Sequence, residues 1–135
     1  MPSLQQTQEQ ERAKSAWEHV SKISANMKDD AGKKLAGEYR ALVRSAATDI
    51  LTNGLGQTLA FLLAKDKGEK GRKPTPHWAL YTHISTWIPD ANSDLLKWLI
   101  SQDSEVYRQT TVEVMAYLNW LKRFAEAELP EPKEQ

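Results

Sequence analysis

Apolar residues recur at intervals of three and four along nearly the whole chain, and no apolar/polar alternation is long enough to make a strand. A period of 3.6 residues sustained in this way leaves one fold class, all-α. All six prolines fall near the ends of the periodic stretches or between them, and together with capping residues and Asn53-Gly54 they divide the chain into about six helices. The first spans roughly residues 8–27, with Ala13, Ala16, Trp17, Val20, Ile23, Ser24 and Met27 on one face. Asp29 or Asp30 can cap a second, whose inward stripe is Leu35, Tyr39, Leu42, Val43, Ala46 and Ile50. Asn53 and Gly54 end it, since both tolerate the left-handed conformation of a helix terminus. A short third helix covers about residues 55–65. A fourth runs from Thr75 or Pro76 to Ile88, where Pro89 stops it. Asn92 or Ser93 begins a brief fifth, and Asp103 or Ser104 caps a long sixth that ends near Glu128. The chain reads as a single domain over 1–135, with disordered tails at 1–8 and 129–135 and a flexible basic loop at 65–76.

At 135 residues such a chain can bury about two thirds of its unfolded surface and needs no staples. It has no cysteine, which excludes disulfides, thiolate metal sites and cysteine nucleophiles. The longest apolar run, Leu59 to Ala64, falls far short of the roughly 20 residues of a membrane span. The polar start lacks the basic and apolar regions of a secretory signal. The expectation is a soluble, cytoplasmic protein.

Catalytic chemistry finds little footing. His19, His77 and His83 include no pair at the i, i+4 spacing of a helical metal site. Helix capping explains Asp29 and Asp30, and no second carboxylate cluster suggests metal-assisted phosphoryl chemistry. There is no nucleophile elbow and no phosphate loop. Gly54-Leu55-Gly56 lacks the third glycine and preceding strand of a dinucleotide site, and reads as one helix ending and another starting. The chain is therefore expected to be neither an enzyme nor a holder of a metal or cofactor.

Charge is more informative. The formal net charge is zero, but residues 1–89 hold 13 Lys/Arg against 9 Asp/Glu, and residues 90–135 hold 5 against 9. On the second helix Lys33, Arg40 and Arg44 project within about 40° of one another, opposite the apolar stripe, with Gly37 on the same side. They lie about 10 Å and 6 Å apart along the axis, within reach of successive phosphates of one nucleic-acid strand, and Gly37 leaves room for a backbone to approach. Lys65, Lys67, Lys70, Arg72 and Lys73 form a second basic set in the glycine- and proline-rich loop. Arg108, Lys122 and Arg123 form a third on the last helix. Most Trp and Tyr residues fall on apolar stripes, so contact with phosphate and sugar, blind to sequence, is expected rather than base stacking. On the last helix Tyr107, Thr111, Val114, Leu118, Leu121 and Ala125 make a regular seam, and Tyr117, Trp120 and Phe124 cluster roughly 100° around from it. A face so wide fits either a helix buried on two sides or an aromatic patch kept for a partner subunit.

Four segments together resemble a known family: Glu38-Tyr39-Arg40-Ala41-Leu42, Asn53-Gly54-Leu55-Gly56-Gln57-Thr58-Leu59-Ala60-Phe61, Asp103-Ser104-Glu105-Val106-Tyr107-Arg108, and Asn119-Trp120-Leu121-Lys122-Arg123-Phe124-Ala125-Glu126-Ala127. They are similar to the small all-helical subunit of the type III-B CRISPR effector, the Cmr complex or RAMP module of antiviral defence, over about residues 9–128. The resemblance implies a compact helical bundle that stacks in a short filament beside larger backbone subunits and copies of itself. Together these hold a CRISPR RNA and its target RNA, while cleavage and signalling chemistry belong to other subunits. It further implies RNA contact by Arg40, Lys122 and Arg123, which stand inside matching segments. Lys33, Arg44 and the loop cations rest on local charge geometry alone. A protein-binding scaffold without direct RNA contact is the alternative.

Overall fold

The computed structural model describes residues 4–65 and 75–132, and these form six α-helices with no strand. The helices are α1 (Leu4–Ala25), α2 (Asp30–Asn53), α3 (Leu55–Lys65), α4 (Pro76–Trp87), α5 (Leu95–Leu99) and α6 (Ser104–Glu128), with a single 3-10 turn at Pro89–Ala91 before α5. Their starts follow local chemistry. The Asp29 carboxylate accepts from the Gly32 N–H (2.8 Å), Thr75 Oγ1 from Trp78 N–H (3.0 Å) and the Asp103 carboxylate from Val106 N–H (2.9 Å), each satisfying an orphan donor of the first turn. Gly54, at φ 90°, closes α2 with its N–H on the Ile50 carbonyl (2.8 Å), and α3 begins at the next residue.

Three boundaries depart from the sequence reading. Asn92 and Ser93, expected to start the fifth helix, both stand at positive φ, 53° and 66°. They reverse the chain instead, and α5 starts at Leu95. The N-terminus of α5 is docked from the side: Leu95 N–H donates to Ser85 Oγ (3.1 Å) and Leu96 N–H to the Tyr81 hydroxyl, which itself donates to Asp94 (2.6 Å). At the other end, Leu129–Pro132 is not a loose tail. Leu129 is buried, and Pro132 lies so close over Gly37 that a Cβ there would stand 2.8 Å from the Pro132 Cα. Helix α1 likewise begins at Leu4, inside the stretch expected to be disordered. The loop expected at 65–76 lies, for residues 66–74, outside the described residues.

The core sits where α2, α4 and α6 meet, with α1 and α3 closing its sides. Tyr39, Val43, Leu55, Leu59, Leu80, Ile84, Leu95, Val114, Tyr117, Leu118 and Leu121 are all within a few per cent of full burial. Burying each aliphatic or aromatic side chain of this kind is worth about 1.5–3 kcal/mol. Most of the polar groups admitted are paired, Thr82 Oγ1 and Arg40 Nε being buried without a partner among the described residues. Arg12 on α1 donates two bonds to Glu113 on α6 (2.7 and 2.8 Å), and the same carboxylate accepts from Trp87 Nε1 on α4 (2.7 Å), so one acid ties three helices. The Arg12 hydrogen bonds hold the Glu113 carboxyl below its usual range. Tyr39 bonds His83 Nδ1 (2.7 Å), and His83 stacks on His19 with ring centroids 3.9 Å apart. Burial, reinforced by His19 and Lys22, pushes the His83 imidazole down to about 3.

Candidate nucleic-acid and subunit interfaces

The cationic stripe on α2 is present but occupied. Lys33 is exposed. Arg40 is turned down beneath the C-terminal segment: its guanidinium pairs with Glu131 (2.9 Å), donates to the Leu129 carbonyl (3.2 Å) and keeps only 15% of its side chain exposed. Arg44 pairs with Glu126 of α6 (3.2 Å), but half of its side chain remains open to solvent. The acids that mix signs into this stripe come from α6 and the tail rather than from α2, so no helical wheel of α2 could reveal them. Gly37 does admit a backbone, and that backbone is the chain's own, at Glu131 and Pro132.

The Arg44–Glu126 pair also fixes how the third basic set relates to the first. Lys122 and Arg123 precede Glu126 by four and three residues, so they stand on the same side of α6 one turn back. Arg44 therefore meets α6 one turn from Lys122 and Arg123, which project about 100° apart, and Lys33 stands beside Glu128 and Leu129 at the end of α6, so these cations border the α2/α6 seam with Arg40 beneath its edge. Lys122 is half-buried and Arg123 exposed. Arg108 lies far along α6, paired with Glu105. Lys65 ends α3, exposed, with its ammonium 5.7 Å from the centre of the Phe61 ring. Lys67, Lys70, Arg72 and Lys73 lie outside the described residues.

The aromatic flank of α6 divides in two. Tyr117, expected at a partner interface, is a correction: it is fully buried, stacked on Trp87 with centroids 4.8 Å apart and planes 2° off parallel, and its hydroxyl meets Ser15 Oγ at 2.8 Å. The reason is that α1 and α4 both pass over this part of α6. Trp120 and Phe124 are only half-buried, and their rings lie 5.5 Å apart. Trp17 joins them from α1, edge-on to Phe124 at 5.1 Å and 44% exposed. Placed on the inward stripe of the first helix by its phase, Trp17 instead completes a surface cluster of three large aromatics. The only signal for it in the sequence was its position beside Ala16 at the edge of that stripe.

Among the described residues no group of three or more His, Asp or Glu could hold a metal ion, and no helix is long and apolar enough to cross a membrane. What the described residues do bring together is charged surface on α2 and α6 and a half-open aromatic cluster. Residues 8–128 match the family of CRISPR-associated proteins described as Cas_Cmr5. The fold is similar to the crystal structure of a CRISPR-associated Cmr5 family protein from Thermus thermophilus, at 26% sequence identity over 90% of this chain and 97% of that one, with a TM-score of 0.70. With nearly its whole length matched, this chain belongs to the Cmr5 family of CRISPR-associated proteins, and so to the subunits of a CRISPR effector complex.

Proposed function

We propose that the chain is a non-catalytic structural subunit of the type III-B Cmr ribonucleoprotein, which stacks beside copies of itself and larger subunits and contacts the backbone of guide or target RNA without sequence preference. The observation that carries the RNA contact is that Lys33 and Arg44 of α2 and Lys122 and Arg123 of α6 border the seam joined by the Arg44–Glu126 pair. Exposed cations at this spacing meet phosphates and release counterions, giving salt-sensitive binding. The half-buried cluster of Trp17, Trp120 and Phe124 supports the subunit contact, because aromatics with open edges are favoured anchors at protein interfaces.

One observation favours the scaffold reading instead: Arg40 and Arg44 are both already paired with the chain's own carboxylates. The two readings part in the assembled complex. Changing Lys33, Arg44 and Arg123 together to Glu should lower RNA retention at least tenfold. It should also flatten the salt dependence by about 2 in log–log slope, at roughly 0.7 per single-strand phosphate contact. Unchanged retention and slope in a complex of normal composition would establish the protein-only scaffold.

A further inference from the structure

One of the segments that carry the family resemblance, residues 53–61, takes no part in the basic face, yet it builds the wall of a cleft. Helices α2 and α3 meet at Gly54 in a V. Asp49 and Asn53, one turn apart on α2, look across a space of about 480 Å³ at Gln57 and Phe61, one turn apart on α3. Thr58 forms the floor, its hydroxyl donating to the Gly54 carbonyl (3.0 Å). Asn53 and Gln57 are exposed, and among the described residues no hydrogen bond or ion pair engages the side chains of Asp49, Asn53 or Gln57. Phe61 is 42% exposed, steadied edge-on by His77 at 5.9 Å. Lys65 continues the α3 ladder one turn beyond, its ammonium near the Phe61 ring.

We propose that this cleft is a nucleobase site, holding one guanine of a single-stranded RNA stacked on Phe61 with its edge against Asp49, Asn53 and Gln57. This rests on the RNA-contacting reading and adds one base-selective point to a backbone contact that is itself blind to sequence. A stacking platform with carboxamides on both sides is the equipment by which proteins hold unstacked bases of single strands, the ring giving affinity and the amides reading the edge. The lining is divided between apolar and polar surface, with Phe61 its one large apolar group, so a flat ring with a hydrogen-bonding edge matches it better than a purely hydrophobic side chain from a protein partner. The carboxylate selects among bases. Asp49 accepts only, and guanine presents adjacent N1–H and N2–H donors that suit its two oxygens, while Asn53 and Gln57 can donate to O6 and N7. Uracil presents a single N–H flanked by two carbonyl oxygens, which a carboxylate repels. Lys65 is free to leave the ring face to the base and follow the adjoining phosphate.

The test uses the full chain, fluorescence anisotropy and two labelled 12-nucleotide strands: oligouridine with three central guanosines, and the same strand with abasic ribose at those positions. The guanosine strand should bind at least tenfold more tightly, in line with about 1–3 kcal/mol per stacked base. Phe61→Leu, at an exposed position, and Asp49→Asn, at a half-buried one, are both conservative changes and should each abolish that preference without altering the salt slope or the helical spectrum. The pair Lys33→Glu and Arg44→Glu should do the converse, weakening both strands equally and flattening the slope. Equal binding of the two strands with a steep salt slope would overturn the base site and leave phosphate contact standing. Absence of binding at low salt, by the chain and by its complex alike, would overturn both. A guanosine preference that survives Phe61→Leu and Asp49→Asn, or loss of a neighbouring subunit from the Phe61→Leu complex with RNA binding intact, would also remove the cleft from RNA recognition.

Discussion

Tyr117 and Phe124 stand seven residues apart on nearly the same line of α6, yet they do opposite things. Around Tyr117 the helix is roofed on two sides: Trp87 stacks on the ring, Ser15 meets the hydroxyl, and the Glu113 carboxylate one turn back fastens α1 and α4 in place. Around Phe124 the roof has ended, and Trp17 and Trp120 lean on the ring while leaving part of their own surface to solvent. What separates core from surface along one helix is where its neighbours stop. Composition does not, since both neighbourhoods are equally aromatic. The wide apolar face is therefore both things at once, a core half and a candidate docking half.

Truncation should expose that division most clearly. Tyr117→Ala should cost about 4 kcal/mol of folding stability, as expected for removing a fully buried aromatic. Tyr117→Phe should cost about 1 kcal/mol, the worth of the bond to Ser15. Trp120→Ala should cost well under half of the Tyr117→Ala loss in urea denaturation, but about 2 kcal/mol or more in binding to a neighbouring subunit. If Trp120→Ala melts the chain as severely as Tyr117→Ala and the surviving folded protein assembles normally, the two halves of α6 are one core and the interface is elsewhere.

What is legible without coordinates divides along the same line. The six helices are legible because periodicity is local, and so are three of their starts, because Asp29, Thr75 and Asp103 act on donors three residues away. The stripe of Lys33, Arg40 and Arg44 is legible in phase but not in state, since Glu126 and Glu131 reach it from 82 and 91 positions along the chain. The Arg12–Glu113 pair and the His19–His83 stack join residues remote in sequence and leave no mark on either helix's own pattern. Even the reversal at Asn92 and Ser93 looks like a helix start in the sequence, since Asn and Ser suit a cap and a left-handed turn equally well.

A second, smaller effect sharpens the contrast between interior and surface by pH. His83 lies inside the bundle on Tyr39 and His19, with its pKa about 3 when folded against 6.5 when free. The unfolded chain therefore takes up a proton first as pH falls. The neutral histidine contributes stability in full above about pH 6.5 and loses it as pH drops from 6.5 toward 3, by at most about 1.4 kcal/mol per unit. Between pH 6.5 and 5 the urea-derived stability should fall by about 2 kcal/mol from this group, and His83→Gln should remove most of that slope. Glu113 acts in a lower window: its pKa is depressed, so its share is held above the ordinary carboxylate range and lost only below about pH 4.5. A wild-type slope between pH 6.5 and 5 that persists in His83→Gln would take the titration away from His83 and pass it to another group, His19 first, whose own pKa burial lowers.

The smallest change in stability should come with an increase in binding. Glu131 is two-thirds exposed, so its ion pair with Arg40 contributes no more than about 0.5 kcal/mol to folding. For RNA, however, the same carboxylate stands where a phosphate would stand, neutralising the middle cation of the α2 stripe while Pro132 covers Gly37. Glu131→Ala removes the competing anion and leaves Leu129 buried in its place. The expected result is an unchanged melting curve together with RNA binding that is severalfold tighter at low salt, and a salt slope steeper by up to about 0.7, one further single-strand phosphate contact. If Glu131→Ala leaves both affinity and slope as they were, Arg40 is a structural arginine that anchors the C-terminal segment, and the α2/α6 face must meet RNA through Lys33, Arg44, Lys122 and Arg123 alone.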